Sequence, residues 1–228
     1  MIRFAAAAII LTALISSFAS AQDSTPKVQV FGGYSLLHTP TGGLTDDTLD
    51  IGLHQNTNAF GVRTNFQGWN AEGQYNASRW IGIAVDFGGR SGSPLTGASG
   101  ISGLPSGKGY SILAGPVITY RTKSRLTPFV HVLAGWDRST LSASTITGPS
   151  APVSIAGTTY DDFAVALGGG VDYRIIRHLA LRLGQFDYYH TSLNMSKFYT
   201  TAFGGTLFQG LATHQVNVRV SVGAVLQF

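Results

Sequence analysis

From Gln215 to Phe228 the side chains alternate in character at every step. Val216, Val218, Val220, Val222, Ala224, Leu226 and Phe228 share one parity, while Gln215, Asn217, Arg219, Ser221, Gly223, Val225 and Gln227 share the other. A helix would spread those apolar positions around its whole circumference; a strand, whose successive side chains project to opposite faces, gathers them on one. The segment therefore reads as a strand with one apolar face.

Seven earlier segments follow the same rule. Val28, Val30, Tyr34 and Leu36 face one way in the first, and Trp69, Ala71 and Tyr75 oppose Asn70, Glu72, Gln74 and Asn76 in the second. Ile81, Ile83, Val85 and Phe87 oppose Gly82, Ala84, Asp86 and Gly88 in the third, and Ala114, Ile118 and Tyr120 mark the apolar side of the fourth. The fifth sets Val130, Val132, Ala134 and Trp136 against His131, Leu133, Gly135 and Asp137. The sixth sets Phe163, Val165, Leu167, Val171 and Tyr173 against Ala164, Ala166, Gly168, Gly170 and Asp172. In the seventh, Leu179, Leu181 and Leu183 oppose Ala180, Arg182 and Gly184, after which the phase slips: without a bulge near Gln185, Phe186 and Tyr188 would point with the polar set and Asp187 against it.

The connections alternate in length. Asn76–Arg79, Thr122–Leu126 and Ile175–His178 are tight, whereas His38–Phe66, Gly89–Gly109, Arg138–Thr159 and Thr191–His214 are long and rich in Gly, Ser, Thr and Asn. Eight strands of about ten residues, joined by short turns at one end and long loops at the other, predict an all-β, antiparallel up-and-down transmembrane barrel with short periplasmic turns and four long extracellular loops.

Alternation alone leaves open which face points outward, because a soluble barrel shows the same period reversed. Bulk decides it. The lumen of an eight-stranded barrel is just wide enough for its own side chains, and the polar faces are mainly Gly, Ala, Ser and single charges, while Trp69, Trp136, Phe87, Phe163 and Tyr120 lie on the apolar ones. Charged residues make up only 11% of the chain, against about 25% in soluble domains, as expected where much of the surface meets lipid. Trp69, Tyr75, Trp80, Tyr120, Trp136, Tyr173 and Tyr188 fall near strand ends and are candidates for the interfacial aromatic girdles. The net charge of +4 comes from basic residues scattered singly, so no nucleic-acid surface is expected, and with no cysteine there is no disulfide framework.

The N-terminus adds a compartment. Arg3 precedes an apolar run from Ala5 to Phe18, too short to span a bilayer, and Ala19-Ser20-Ala21 forms a small-x-small cleavage site. The chain is expected to divide into a cleavable signal peptide, Met1–Ala21, and a barrel domain, Gln22–Phe228, with export to the outer membrane of a Gram-negative bacterium.

Val30-Phe31-Gly32-Gly33-Tyr34-Ser35, Asn76-Ala77-Ser78-Arg79-Trp80-Ile81-Gly82-Ile83 and the C-terminal strand together resemble the bacterial outer-membrane β-barrel domain family, of the same general kind as the small OmpA/OmpX barrels. The resemblance implies an integral outer-membrane protein with outer-membrane lipids around it. It implies too that Val220, Val222, Ala224, Leu226 and Phe228 form the signal read by the barrel-assembly machinery. Tethered members carry a peptidoglycan-binding domain after the barrel; this sequence stops at Phe228, so cell-wall anchoring is not an expectation.

Charges on the inward faces are the candidate site. Glu72, Asp86, Asp172, Arg182, Asp187 and Arg219 would sit in a confined lumen, where a charge is costly unless paired, so they are expected to form a structural ion-pair network. Arg219 lies as far above Phe228 as Asp187 lies above Leu179 to about one residue, roughly 3 Å at strand rise, which predicts that these two pair. Other chemistries find little support. His38, His54, His190 and His214 flank the long loops without metal-ligand spacing. There is no G-x-S-x-G, Ser111 and His131 both point into the lumen, and Gly168-Gly169-Gly170 precedes no helix that would cradle a phosphate. Asp46, Asp47 and Asp50 make the first loop acidic. No catalytic residue, cofactor or metal is expected. The expected role is structural or surface-interacting through the loops, whose ligand the sequence does not name; a small passive channel and a lipid A modifying enzyme are the alternatives.

Overall fold

Eight long strands, each hydrogen-bonded to its neighbours in the chain, close into a barrel in the computed structural model, which describes residues 25–38, 60–62, 65–93, 95–97, 102–121, 124–147, 152–191 and 215–228. In chain order the strands are β1 (Val28–His38), β2 (Phe60–Val62), β3 (Asn65–Asn76), β4 (Ile81–Gly92), β5 (Leu95–Gly97), β6 (Gly107–Thr119), β7 (Leu126–Leu141), β8 (Ser144–Ile146), β9 (Val153–Ile155), β10 (Thr158–Ile176), β11 (Leu179–Thr191) and β12 (Gln215–Gln227). The barrel runs β1-β3-β4-β6-β7-β10-β11-β12, antiparallel throughout, and closes where β1 meets β12, with Gln29 opposite Gln227 and His38 opposite Val218. Closure leaves the sheet no free edge, the condition hydrocarbon imposes on a backbone that crosses it.

The side chains face as the alternation predicts. Val132 and Leu181 are 48% and 41% exposed, whereas their neighbours Leu133 and Ala180 are 0% and 1% exposed. The phase slip expected near Gln185 is a register shift between Arg182 and Gln185 on the β12 side. Leu183 and Gly184 are taken up within the bulge, so Arg182, Gln185, Asp187 and Tyr189 all turn inward while Phe186 and Tyr188 remain outside.

Two expectations need correction. The strands outrun ten residues: β7 has 16 and β10 has 19, so that Arg138 and Thr159, expected in a loop, are paired with Asp161 and Thr140 across β7 and β10. Beyond the barrel, β2 pairs with β5, β8 pairs with β9, and Ser102 bridges Thr147, so the long connections carry sheet of their own. Nor is the lumen filled by small residues and charges alone. Phe31, Leu113, Val117, Phe129, Leu133, Tyr189 and Val225 are buried inside it. Glycines opposite make the room: a Cβ on Gly170 would meet the Phe129 ring and the Gly184 backbone.

Met1–Ala21, the acidic cluster Asp46, Asp47 and Asp50, and His54 and His214 lie outside the described residues.

Candidate functional site in the barrel lumen

The six charges expected in the lumen are all buried there and meet in two linked clusters. In the lower one, nearer the tight turns, the Arg182 guanidinium donates to Asp172 from Nε at 2.9 Å and from Nη2 at 3.3 Å. Its Nη1 donates to Glu72 at 3.1 Å and to the Gln185 side-chain Oε1 at 2.7 Å. The flat faces of the same guanidinium lie against two aromatic rings, with Cζ 4.3 Å from the centroid of Phe31 and 4.2 Å from that of Phe129. Edge hydrogen bonds and aromatic faces together suit a buried arginine.

The middle cluster is built on Arg219. Its Nη1 and Nη2 donate to Asp86 at 2.8 and 3.3 Å, and its Nε donates to Asp187 at 2.8 Å. Asp187 and Arg219 are direct partners across β11 and β12, so the height match read from sequence is realised as register. Asn70 donates to Asp86 and Gln185 to Asp187. His131 joins the clusters: its Nε2 donates to Asp187 at 2.8 Å, and its Nδ1 faces Glu72 at 3.6 Å.

A third cluster, toward the loops, was not expected. Arg90 donates in two parallel bonds of 2.7 Å to Asp137, which also accepts from the Tyr189 hydroxyl at 2.7 Å, and Arg90 reaches Ser139 at 2.8 Å. Asp137 and His131 were on the inward parity of their strand from the start; Arg90 was missed because β4 continues to Gly92, past the expected strand end. Phe31 and Phe129 also lie on the inward parity of their strands, but their bulk argued for the lipid side, and they were not singled out.

Three guanidinium groups at different heights of the barrel, each held by carboxylates, share the lumen with buried Leu113, Leu133, Phe129 and Tyr189. Ser111 and His131 do not meet: Ser111 is opposite Asp137 and Val117 is opposite His131, an offset of six residues or roughly 20 Å at strand rise. His38 Nδ1 donates to Asn65 Oδ1 at 2.8 Å, and among the described residues no three His, Asp or Glu side chains form a metal-binding group.

On the outer surface Tyr75, Trp80 and Tyr120 are exposed at the turn end, with Tyr173 half-buried there, and Trp69, Trp136 and Tyr188 are exposed higher up. In β12, Val222, Ala224 and Leu226 point outward, Val220 and Phe228 are half-buried, and the Phe228 backbone exchanges hydrogen bonds of 2.8 and 3.1 Å with Val28.

The fold is shared with solved outer-membrane barrels. The attachment invasion locus protein Ail of Yersinia pestis is 14% identical, aligned over 90% of this chain and 100% of its own, with a TM-score of 0.51. The same protein in complex with the heparin analogue sucrose octasulfate aligns with a TM-score of 0.50 at the same identity and coverage. OprG from Pseudomonas aeruginosa is 12% identical over 90% of this chain and 96% of its own, with a TM-score of 0.47. No curated protein matches the sequence. The model of the outer membrane protein beta-barrel domain matches residues 6–223, nearly the whole length, and the chain belongs to that family of integral outer-membrane barrels.

Proposed function

We propose that the chain is exported by a signal peptide cleaved after Ala21 and serves as a non-enzymatic outer-membrane barrel whose role lies in what its four extracellular loops contact. The observation that carries this reading is the occupied lumen. Each guanidinium inside is neutralised by carboxylates, and bulky apolar side chains fill the layers between, an arrangement suited to rigidity and ill suited to passing solutes. With the body inert, the surface left for contacts outside the cell is the loops. In this reading the lumen network is structural, the exposed aromatics anchor the barrel at the two interfaces, and the outward residues of β12 ending in Phe228 guide assembly.

The long connections and the strand ends beside them mix Asp46, Asp47, Asp50, Asp161 and Asp162 with Arg63, Lys108, Arg138 and Lys197. That balance gives no reason to transfer the sulfated-sugar complex of Ail to this protein. The test compares cells carrying the full chain with cells carrying a version whose four loops are cut to tight turns, at equal outer-membrane levels. Loss of surface adhesion with the loops is expected; unchanged adhesion would remove the loop role, and a mass shift in lipid A that depends on the protein would make it an enzyme.

A further inference from the structure

Charge is distributed very unevenly along the barrel axis. Among the described residues the acidic side chains lie in the lumen or, as Asp161 and Asp162, toward the loops, whereas Lys27, Arg79, Arg121, Arg125, Arg174 and Arg177 line the turn end. None of these six forms an ion pair among the described residues.

Two of them are fixed side by side where the first turn meets the second. Arg79 Nη2 donates to the Arg121 carbonyl at 3.0 Å, and Arg121 Nη1 donates to the Arg79 carbonyl at 2.8 Å. These reciprocal bonds hold two like charges together although neither neutralises the other. Arg121 Nη2 is buried with no hydrogen-bond partner, and Asp172, the carboxylate whose field reaches Arg121, is already held by Arg182. On the lipid side of this pair, Trp80 and Tyr120 stack with ring centroids 5.2 Å apart, and the Arg79 guanidinium sits 5.1 Å over Trp80. Exposed Ile81 and Ile118 continue the apolar surface toward the membrane centre.

We propose that Arg79 and Arg121 bind the phosphate of an anionic phospholipid in the periplasmic leaflet, with Trp80 and Tyr120 under its glycerol and upper acyl region. Arg79, exposed beside Trp80, offers a phosphate its parallel N–H donors, and Arg121, tied to it by the two reciprocal bonds, adds a second positive charge that no carboxylate neutralises. The lipid-facing aromatic pair distinguishes a lipid from a free anion, since only a lipid uses both halves of the site.

The test leaves Trp80 as the sole indole, through Trp69→Phe and Trp136→Phe, in the full chain refolded into phosphatidylcholine vesicles. Brominated phosphatidylglycerol should quench Trp80 more strongly than brominated phosphatidylcholine, and excess inorganic phosphate should leave that preference in place. Arg79→Gln with Arg121→Gln should lower the preference about fivefold for each arginine, while Arg125→Gln with Arg174→Gln should leave it nearly whole. Equal quenching by the two lipids, displacement by inorganic phosphate, or equal loss in both double variants would overturn the site. Should the first double variant fail to fold, a salt titration of the single-indole chain decides: a preference unchanged between low and high ionic strength contradicts recognition by charge.

Discussion

Arg219 holds Asp86 and Asp187 at once, and all three are buried. Substituting one member leaves the others charged in a confined space, which costs about 3 to 5 kcal/mol. Asp187→Asn and Arg219→Gln should each lose stability on that scale, and the pair together should lose distinctly less than the sum. Urea unfolding of the four proteins in vesicles measures this; simple additivity would mean that the pair is not coupled. Gly168 gives a steric counterpart. A Cβ there would run into the Asp187 carboxylate and the Phe186 carbonyl, whereas one on Gly32 meets nothing within 4 Å. Gly168→Ala should cost about 1 to 3 kcal/mol and Gly32→Ala almost nothing by the same unfolding measurement. At this scale the sequence was partly legible. Parity placed the six charges inside, but partner choice depends on which strands face each other across the lumen. No local pattern indicated that Arg182 would lie between Phe31 on β1 and Phe129 on β7.

The elements were more legible than the contacts, because a period of two is a property of the strand itself and survives any choice of neighbours. Even the bulge in β11 showed, since Asp187 and Phe186 would otherwise exchange faces. Strand ends did not show: β4, β7 and β10 run on through Arg90, Arg138 and Thr159, where Gly, Ser and Thr blur the alternation. Facing is testable directly. Val132→Arg and Leu181→Arg place a charge in lipid and should each cost about 2 to 4 kcal/mol near the midplane. A membrane-restricted thiol probe should label cysteines at 132 and 181; labelling at 135 and 180 in their place would invert the barrel. For β12, deleting Phe228 should impair assembly in cells more than the loss of its two backbone hydrogen bonds to Val28 explains. Normal insertion of the shortened chain would show that the terminal residue is not read during assembly.

The whole molecule combines a surface shaped for lipid with an interior shaped for itself. Exposed Ile83, Phe163, Leu167 and Leu183 would be a liability in water and are ordinary in a bilayer. The interior follows the opposite rule, with three arginines matched to carboxylates through strands far apart in sequence, as in the contact between Arg219 and Asp86. Barrel closure makes those contacts possible, which is why the architecture was readable from alternation and turn lengths while the third cluster, Arg90 with Asp137 and Tyr189, was not. In the proposed reading this interior is a plug. Single-protein current recording in a planar bilayer distinguishes a plug from a pore: the refolded full chain should insert without stable conducting steps, and uniform, long-lived open steps would show a pore.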